Sequence, residues 1–293
     1  MTETPAPDHP PARPTTAFPK DACDTHLHML GAPGEFRLAD KRAEDPAPGL
    51  TFDDYVDRYR AVMETAGITR AVLVHSILYG TDNAVTFAAH DALGHDTTRV
   101  IALVTDDASD DHLTNLAQKG AVGIRLNYVH GGVLSWAGAK ALAPKLADRG
   151  MHLQMLLNTD KHMAKVAADV EALPVPIVID HIGWPDIAAG PDEPGFTTLR
   201  RLIGTGKVFV KLSGIYRLDD PPYDETDSFV AALVAENPAA CLWGSDWPHI
   251  MLANAGMPPL SLLVDAFARA VPDEETRRQI LVHNPAKLYG FAP

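Results

Sequence analysis

The chain alternates between short apolar runs and longer segments with helical periodicity. Runs such as "AVLVHS" and "VFVKLSG" are rich in β-branched residues, as is typical of strands buried on both faces. In "DDYVDRYRAVMETAG" the apolar residues recur at helical spacing, and Gly67 stands where a C-terminal cap belongs. We predict eight strands, over residues 22–28, 70–76, 100–105, 120–127, 153–157, 177–181, 208–213 and 241–246, with helices between them.

Eight strand–helix units favour a single closed (β/α)₈ barrel of the TIM type, with the active site at the C-terminal ends of the strands. An open doubly wound sheet is the alternative, but no glycine-rich dinucleotide fingerprint follows the first strand. We predict that the barrel covers residues 20–293 and that its last helix, near 274–282, ends before "HNPAKLYGF". The proline-rich residues 1–19 are expected to form an arm that is extended on the surface or disordered.

Polar residues recur where the predicted strands end. They are His26 and His28 in strand one, Arg125 and Asn127 in strand four, Asp180 and His181 in strand six, Lys211 and Ser213 in strand seven, and Asp246 in strand eight. The carboxyl ends of barrel strands converge on one mouth, so a single shared site explains all of these residues together.

Four of these residues carry the chemistry that we predict. His26 and His28 are two positions apart in a strand and therefore face one point. Asp246, flanked by Trp243 and Trp247, is expected to be poorly solvated, so its charge needs either an oppositely charged partner or a catalytic role. His181 follows a short apolar strand and completes the set.

The remaining polar positions have structural interpretations. Asp180 precedes His181 and is expected to point to the opposite face, where it would make a structural hydrogen bond. Lys211 is left open between a functional role and pairing with an internal acid. Other histidines are interpreted as satisfied core or surface residues: His75, His90, His95, His112, His130, His152 and His162.

The formal net charge of −13 disfavours nucleic acid and anionic membrane as partners, because no broad basic surface is available to meet phosphates. A small anionic substrate would have to be captured by local arginines. The sequence contains no long apolar run and no signal-peptide pattern. The two cysteines, Cys23 and Cys241, are expected to be buried free thiols in a reducing compartment, which favours the cytoplasm. The oligomeric state stays open.

The ordered motifs "DTHLH", "VGIRLN", "PVPIVIDHIGWPD", "VKLSGIYRLDD" and "WGSDWPH" resemble the amidohydrolase superfamily of the amidohydrolase-2 type. Within it, the chain is similar to the lactonase branch that includes 2-pyrone-4,6-dicarboxylate lactonase. The resemblance covers nearly the whole chain after the arm. It implies a (β/α)₈ barrel that hydrolyses a cyclic ester.

The resemblance also implies roles for individual residues. His26, His28 and His181 would surround the scissile carbonyl and Asp246 would be the general base. Arg125 and Arg217 would hold carboxylates of the substrate. The substrate-binding residues expected in this way, including positions that depart from the branch, are Arg125, Arg217, Asn127, Trp184, Ser76 and Leu156.

Three of these positions depart from the dicarboxylate lactonase pattern. Trp184 stands where that pattern has an arginine, and Leu156 where it has a tyrosine. The serine after strand two is displaced to Ser76, and His75 occupies a position often held by glutamine. A buried carboxylate without its arginine costs several kcal/mol. We therefore expect a lactone with one anionic group or a more apolar ring.

Cofactor and reaction type have open alternatives. We expect no obligatory metal, although His26, His28, His181 and Asp246 could hold one Zn²⁺ or another divalent ion. A metal-dependent decarboxylase or hydratase, a sugar-lactone isomerase and a non-catalytic metabolite-binding barrel are the competing functions. The predicted function is an enzyme that opens a small anionic lactone in the catabolism of aromatic or sugar-acid compounds.

Overall fold

The computed structural model, which describes residues 2–252 and 256–292, confirms the (β/α)₈ barrel. Its eight parallel strands are β1 Ala22–Leu27, β2 Ile68–Val74, β3 Thr98–Ala102, β4 Ala121–Asn127, β5 His152–Leu156, β6 Ile177–Ile179, β7 Val208–Leu212 and β8 Cys241–Trp243. Each strand pairs with the next in chain order. All eight predicted strands are therefore present, each within about one to three residues of its expected bounds.

The barrel closes between its first strand and the segment that follows its last strand. The Asp246 amide donates to the carbonyl of His26 at 2.8 Å, and the His28 amide donates to the carbonyl of Trp247 at 2.7 Å. The Thr25 hydroxyl adds a bond to the carbonyl of Trp243 at 2.8 Å. This closing seam places the predicted histidine pair directly beside the predicted base.

Helices surround the barrel. They are α1 Phe52–Ala66, α2 Ala84–Leu93, α3 Asp110–Gln118, α4 Trp136–Ala147, α5 Thr159–Ala172, α6 Pro194–Gly204, α7 Asp227–Glu236, α8 Leu260–Ala270, α9 Glu274–Arg278 and α10 Asn284–Tyr289. Gly67 ends α1 at a φ of 75°, as its position predicts. None of the helices within residues 2–252 and 256–292 combines the length and the apolar character needed to cross a bilayer.

The predicted end of the last helix is wrong. A π-helical turn, Gln279–His283, joins α9 to α10, so the helical path continues through "HNPAKLY". Pro285 lies in the first turn of α10, where the missing amide costs no helical hydrogen bond. The helical path therefore runs on through this proline.

β6 and β8 end earlier than predicted, and this changes where the side chains that follow them point. β6 stops at Ile179, and His181 adopts a φ of 53°. β8 stops at Trp243, and Asp246 adopts a φ of 61°. Left-handed backbone at residues other than glycine is costly and clusters at functional sites.

An irregularity in the pairing of β1 also changes the direction of the two histidine side chains, His26 and His28. Its pairing with β2 shifts register between Asp24 and Leu27. Asp24 accepts a hydrogen bond from Tyr59 of α1, whereas Cys23 packs in the cluster with Val178 of β6 and Leu242 of β8. A bulge of this kind re-aims the residues that follow it, and here both histidines face the barrel mouth.

The N-terminal residues lie against the barrel. Thr2–Glu3 pairs with Glu44–Asp45 in a small parallel sheet. Phe18 packs edge-on against Trp243, with 4.8 Å between the ring centroids. The division into an arm over 1–19 and a barrel over 20–293 stays a prediction. Cys23 and Cys241 are free and buried, as expected.

Candidate active site

Three imidazoles surround the carboxylate of Asp246 at the barrel mouth. Oδ1 of Asp246 lies 3.5 Å from Nε2 of His26 and 3.6 Å from Nε2 of His28. Oδ2 lies 3.8 Å from Nε2 of His181. All four side chains are almost completely buried. The structure thus brings the four predicted catalytic residues together.

The other nitrogen of each ring contacts a polar group that fixes its orientation. Nδ1 of His28 donates to the carbonyl of Val74 at 2.7 Å. Nδ1 of His181 lies 2.9 Å from the Ser213 hydroxyl, and Nδ1 of His26 lies 3.2 Å from a carboxylate oxygen of Asp180. All three Nε2 atoms therefore point toward Asp246.

Electrostatics keep the imidazoles neutral and the carboxylate charged. Burial lowers the pKa of His181 to about 3 and holds the pKa of His28 well below its usual value. Burial alone would raise the pKa of Asp246, but the Arg217 guanidinium together with His181, His26 and His28 outweighs it, so that pKa lies well below its ordinary value. Nε2 of His28 therefore presents a lone pair beside this carboxylate, because its Nδ1 is the donor to Val74.

Two buried atoms of this group lack a hydrogen-bond partner among the described residues. They are Nε2 of His26 and Oδ1 of Asp246. Ligand atoms of His26, His181 and Asp246 also lie within 4.8 Å of one another. Nitrogen and carboxylate donors that converge in this way fit a divalent ion such as zinc.

Oδ2 of Asp246 is fully engaged. It accepts from the Tyr216 hydroxyl at 2.6 Å and from Nε and Nη2 of Arg217 at 3.0 and 2.9 Å. Arg217 also donates to the carbonyls of Ile250 and Met251. Arg217 was expected to hold the substrate, but here its donors are directed at Asp246 and the backbone. The sequence analysis did not single out Tyr216.

A small pocket opens above these groups. Of the expected substrate contacts, Arg125, Asn127, Leu156, Trp184 and Arg217 line it. Ser76 does not belong to this lining; its hydroxyl caps the short helical turn Ile77–Tyr79 by accepting from the Leu78 amide at 3.3 Å. The complete lining is His28, Ile77, Arg125, Asn127, His130, Leu156, His181, Trp184, Arg217, Asp246, Ile250 and Met251.

His130 belongs to this lining although we interpreted it as structural. Its amide donates to Oδ1 of Asn127 at 2.9 Å, and its ring meets Trp184 edge-on at 6.1 Å. Burial, then the charges of Arg217 and Arg125, lower its pKa. Its position three residues beyond the end of β4 was the available sequence signal, because loops after barrel strands form the mouth.

A layer of buried polar residues lies beneath the pocket. The Lys211 ammonium donates to the carbonyl of Thr25 and to Oε1 of Gln154, both at 2.7 Å. Asp180 accepts from Nε of Arg125 at 3.3 Å. The expectation that Asp180 and His181 point to opposite faces is wrong: both face the inside of the barrel, because β6 ends before them and His181 has a positive φ.

Fold and site together define a barrel hydrolase in which imidazoles and a carboxylate meet at the C-terminal ends of the first, sixth and eighth strands. The chain belongs to the amidohydrolase family, whose sequence profile matches residues 23–291. The resemblance inferred from the motifs is thereby confirmed.

The chain is similar to named lactone hydrolases over most of its length. It is 35% identical to the 4-sulfomuconolactone hydrolase of Rhizobium radiobacter, over 94% of this chain and 91% of the relative. It is 29% identical to the 2-pyrone-4,6-dicarboxylate hydrolase of Comamonas testosteroni, over 95% and 93%. A solved structure of a putative 2-pyrone-4,6-dicarboxylic acid hydrolase from Pseudomonas putida superimposes with a TM-score of 0.78 at 27% identity, covering 93% of this chain and 98% of that one.

Proposed function

We propose that this chain hydrolyses a small anionic lactone. The observation that carries the proposal is the carboxylate of Asp246 at a pocket with an arginine in its wall: its Oδ1 faces the imidazoles of His26 and His28, and His181 lies beside Oδ2. Relatives named as hydrolases of 4-sulfomuconolactone and of 2-pyrone-4,6-dicarboxylate bear out the predicted class, lactone hydrolase. Their names also support a role in the breakdown of aromatic compounds.

Asp246 is the general base in this proposal. Its Oδ1 takes a proton from a water molecule, and the water oxygen attacks the lactone carbonyl. The ring C–O bond then breaks, and the proton returns from Asp246 to the departing oxygen. The product is a hydroxy acid, or a keto acid where the leaving group is an enol.

The carbonyl oxygen, where negative charge develops, would lie beside the imidazoles, and these would stabilise the charge either by donating a hydrogen bond or through a bound divalent ion. Nδ1 of His28 donates to Val74, so its Nε2 presents a lone pair to the pocket. His26, His181 and Asp246, with His28 beside them, would hold a divalent ion through such lone pairs. A bound ion would polarise the carbonyl and make the attacking water more acidic.

The donor set therefore supports the alternative of one Zn²⁺ or another divalent ion, while the expectation of no obligatory metal stays a prediction. Elemental analysis of the purified protein, followed by activity measurements after chelation and after readdition of zinc, distinguishes the two. Stoichiometric metal with chelator-sensitive activity supports the metal site. Full activity in metal-free protein supports the original expectation.

The side chains in the pocket wall indicate which kind of substrate would fit. Arg125 has one side-chain hydrogen bond to the described part of the chain, from Nε to Asp180, and its Nη groups are therefore available to an anion. Arg217 is already engaged with Asp246. Leu156 and Trp184 line the pocket and provide apolar surface for a ring. We propose a substrate with an anionic group at Arg125 and an apolar ring against Trp184.

A panel of lactones tests this function. Muconolactones with and without a sulfonate, a pyrone dicarboxylate and a sugar lactone would be followed by ultraviolet absorbance and by acid release in a pH-stat. We expect turnover of an anionic five- or six-membered lactone with release of one acid equivalent. Carbon dioxide would indicate a decarboxylase, and conversion without acid release would indicate an isomerase. Binding of these compounds without conversion would indicate a metabolite-binding barrel.

His130 provides a pH-dependent test of substrate recognition. Its lowered pKa keeps the ring neutral in the empty pocket at pH 7. A second anionic group beside it would favour the charged form, so a doubly anionic lactone should bind with proton uptake. We expect KM for such a lactone to rise as pH increases from about 6 to 8, and to lose this dependence in His130→Asn, as measured by initial rates.

His112→Asn is the matched control, because His112 lies exposed on α3 outside the pocket lining. An unchanged pH dependence in His130→Asn would remove His130 from substrate recognition. The predicted cytoplasmic location and the absence of nucleic-acid and membrane partners stay predictions, and the small lactone is the partner that the relatives support.

A further inference from the structure

Asp180 is a fully buried carboxylate that lies beneath the pocket and does not line it. The reaction proposed above does not use it. Its two carboxylate oxygens contact different parts of the active site.

Oδ2 of Asp180 lies on the side of the pocket that contains Arg125. It accepts from Nε of Arg125 at 3.3 Å and from Nε2 of Gln154 at 3.2 Å. Since Arg125 makes its single side-chain bond to the described residues here, this contact sets the direction of its guanidinium. The Nη groups are thereby presented to the pocket.

Oδ1 of Asp180 faces the imidazole side. It is buried and has no partner of good hydrogen-bond geometry within residues 2–252 and 256–292. Nδ1 of His26 is its nearest nitrogen at 3.2 Å, and Nζ of Lys211 lies at 3.8 Å. A buried carboxylate oxygen without a donor is costly, and a proton on Nδ1 of His26 removes that cost.

Lys211 is a neighbour of both groups. Two of its three protons go to the carbonyl of Thr25 and to Gln154. Its Nζ lies 3.4 Å from Nδ1 of His26 and 3.8 Å from Oδ1 of Asp180. The Asp180 carboxylate is closer to Nδ1 of His26, at 3.2 Å, and its charge favours a proton on that nitrogen.

We propose that Asp180 is a positioning residue that couples the substrate-binding arginine to the imidazole of the reaction centre. One carboxylate orients Arg125 through Oδ2 and fixes His26 through Oδ1 in the form that carries its proton on Nδ1. Nε2 of His26 then faces Asp246 with its lone pair. Asparagine at this position offers one acceptor oxygen and can serve Arg125 or His26, but not both.

The first test needs no substrate. Long-range ¹H–¹⁵N correlation spectra of histidine-labelled wild-type protein report which ring nitrogen carries the proton, and the His26 signal is assigned by its loss in His26→Gln. We expect a proton on Nδ1 of His26, and a change in this pattern in Asp180→Asn. A proton on Nε2 in the wild-type protein overturns the inference and leaves the proposed function intact.

The second test rests on the proposed function and uses steady-state kinetics. We expect Asp180→Asn to lower kcat about 10- to 100-fold and to raise KM as well, because groups that orient ligands and bases have effects of this size. Arg125→Gln should act mainly on KM. In the double variant Asp180→Asn/Arg125→Gln the increases in KM should be less than additive, because each single change already removes the contribution of a correctly oriented Arg125 side chain.

Asp24→Asn is the matched control. Asp24 is equally buried but binds Ser245, the His26 amide and Tyr59 and contacts neither Arg125 nor the His26 ring. Its loss should lower stability without coupling to Arg125→Gln. Additive effects for Asp180 and Arg125, or equal coupling for Asp24, would overturn the positioning role. Thermal unfolding of each variant separates these outcomes from a general loss of structure, and the spectrum of the wild-type protein decides the matter if Asp180→Asn does not fold.

Discussion

Asp246→Asn is expected to lower kcat by about 10²–10⁴-fold, because general acid–base catalysis contributes rate factors of that order. The amide keeps the size of the side chain and can still accept hydrogen bonds from Tyr216 and Arg217, but it cannot take a proton from water. Initial rates on the best lactone of the panel, measured with saturating substrate, give the factor directly.

Asp186→Asn serves as the control, since Asp186 is an exposed carboxylate on the loop after β6 and caps the short turn Ile187–Ala189. Its kcat should equal that of the wild type. If Asp246→Asn turned over lactone at the wild-type rate while remaining folded, Asp246 would not be the base.

Arg217→Met is expected to lower the free energy of unfolding by about 3–5 kcal/mol, the usual consequence of leaving a buried charge without its partner. The side chains are only 11% and 1% exposed for Arg217 and Asp246. Without the guanidinium, burial raises the pKa of Asp246 above its value in the unfolded chain. The loss should therefore be largest at high pH and should shrink as falling pH protonates the carboxyl.

Urea unfolding followed by tryptophan fluorescence measures this loss. The double variant Arg217→Met/Asp246→Asn should recover most of the stability, because the buried carboxylate charge of residue 246 is then removed together with its partner. Arg201→Met is the matched control, since it breaks an exposed ion pair with Glu171 and should cost no more than about 1 kcal/mol. An equal loss in both single variants would contradict the buried-pair interpretation.

The fold could be predicted from the sequence because several strands are short β-branched runs and the segments between the strands have helical periodicity. The predicted strands over 177–181 and 241–246 extended too far. Their last residues adopt left-handed backbone that hydrophobic pattern does not report. The predicted end of the last helix was too early, because the π-helical turn Gln279–His283 carries the helical path on into α10.

The site was predictable to the extent that it lies at strand ends. His26, His28, His181 and Asp246 were found in this way, but the pairing of Asp246 with Tyr216 and Arg217 was not. Tyr216 and Arg217 lie in a short turn after β7, and only the folded chain shows that both reach Oδ2. Pairings of this kind depend on loop conformation, which residue type and spacing do not determine.

The seam between β1 and the segment after β8 has a consequence for how the enzyme matures. The hydrogen bonds from Asp246 to His26 and from His28 to Trp247 join residues more than two hundred positions apart in the chain. The reaction centre therefore does not exist until the C-terminal part has been synthesised and docked onto the N-terminal strand. Recovery of catalytic turnover during refolding therefore reports closure of the barrel. A nascent chain that lacks β8 has no catalytic activity.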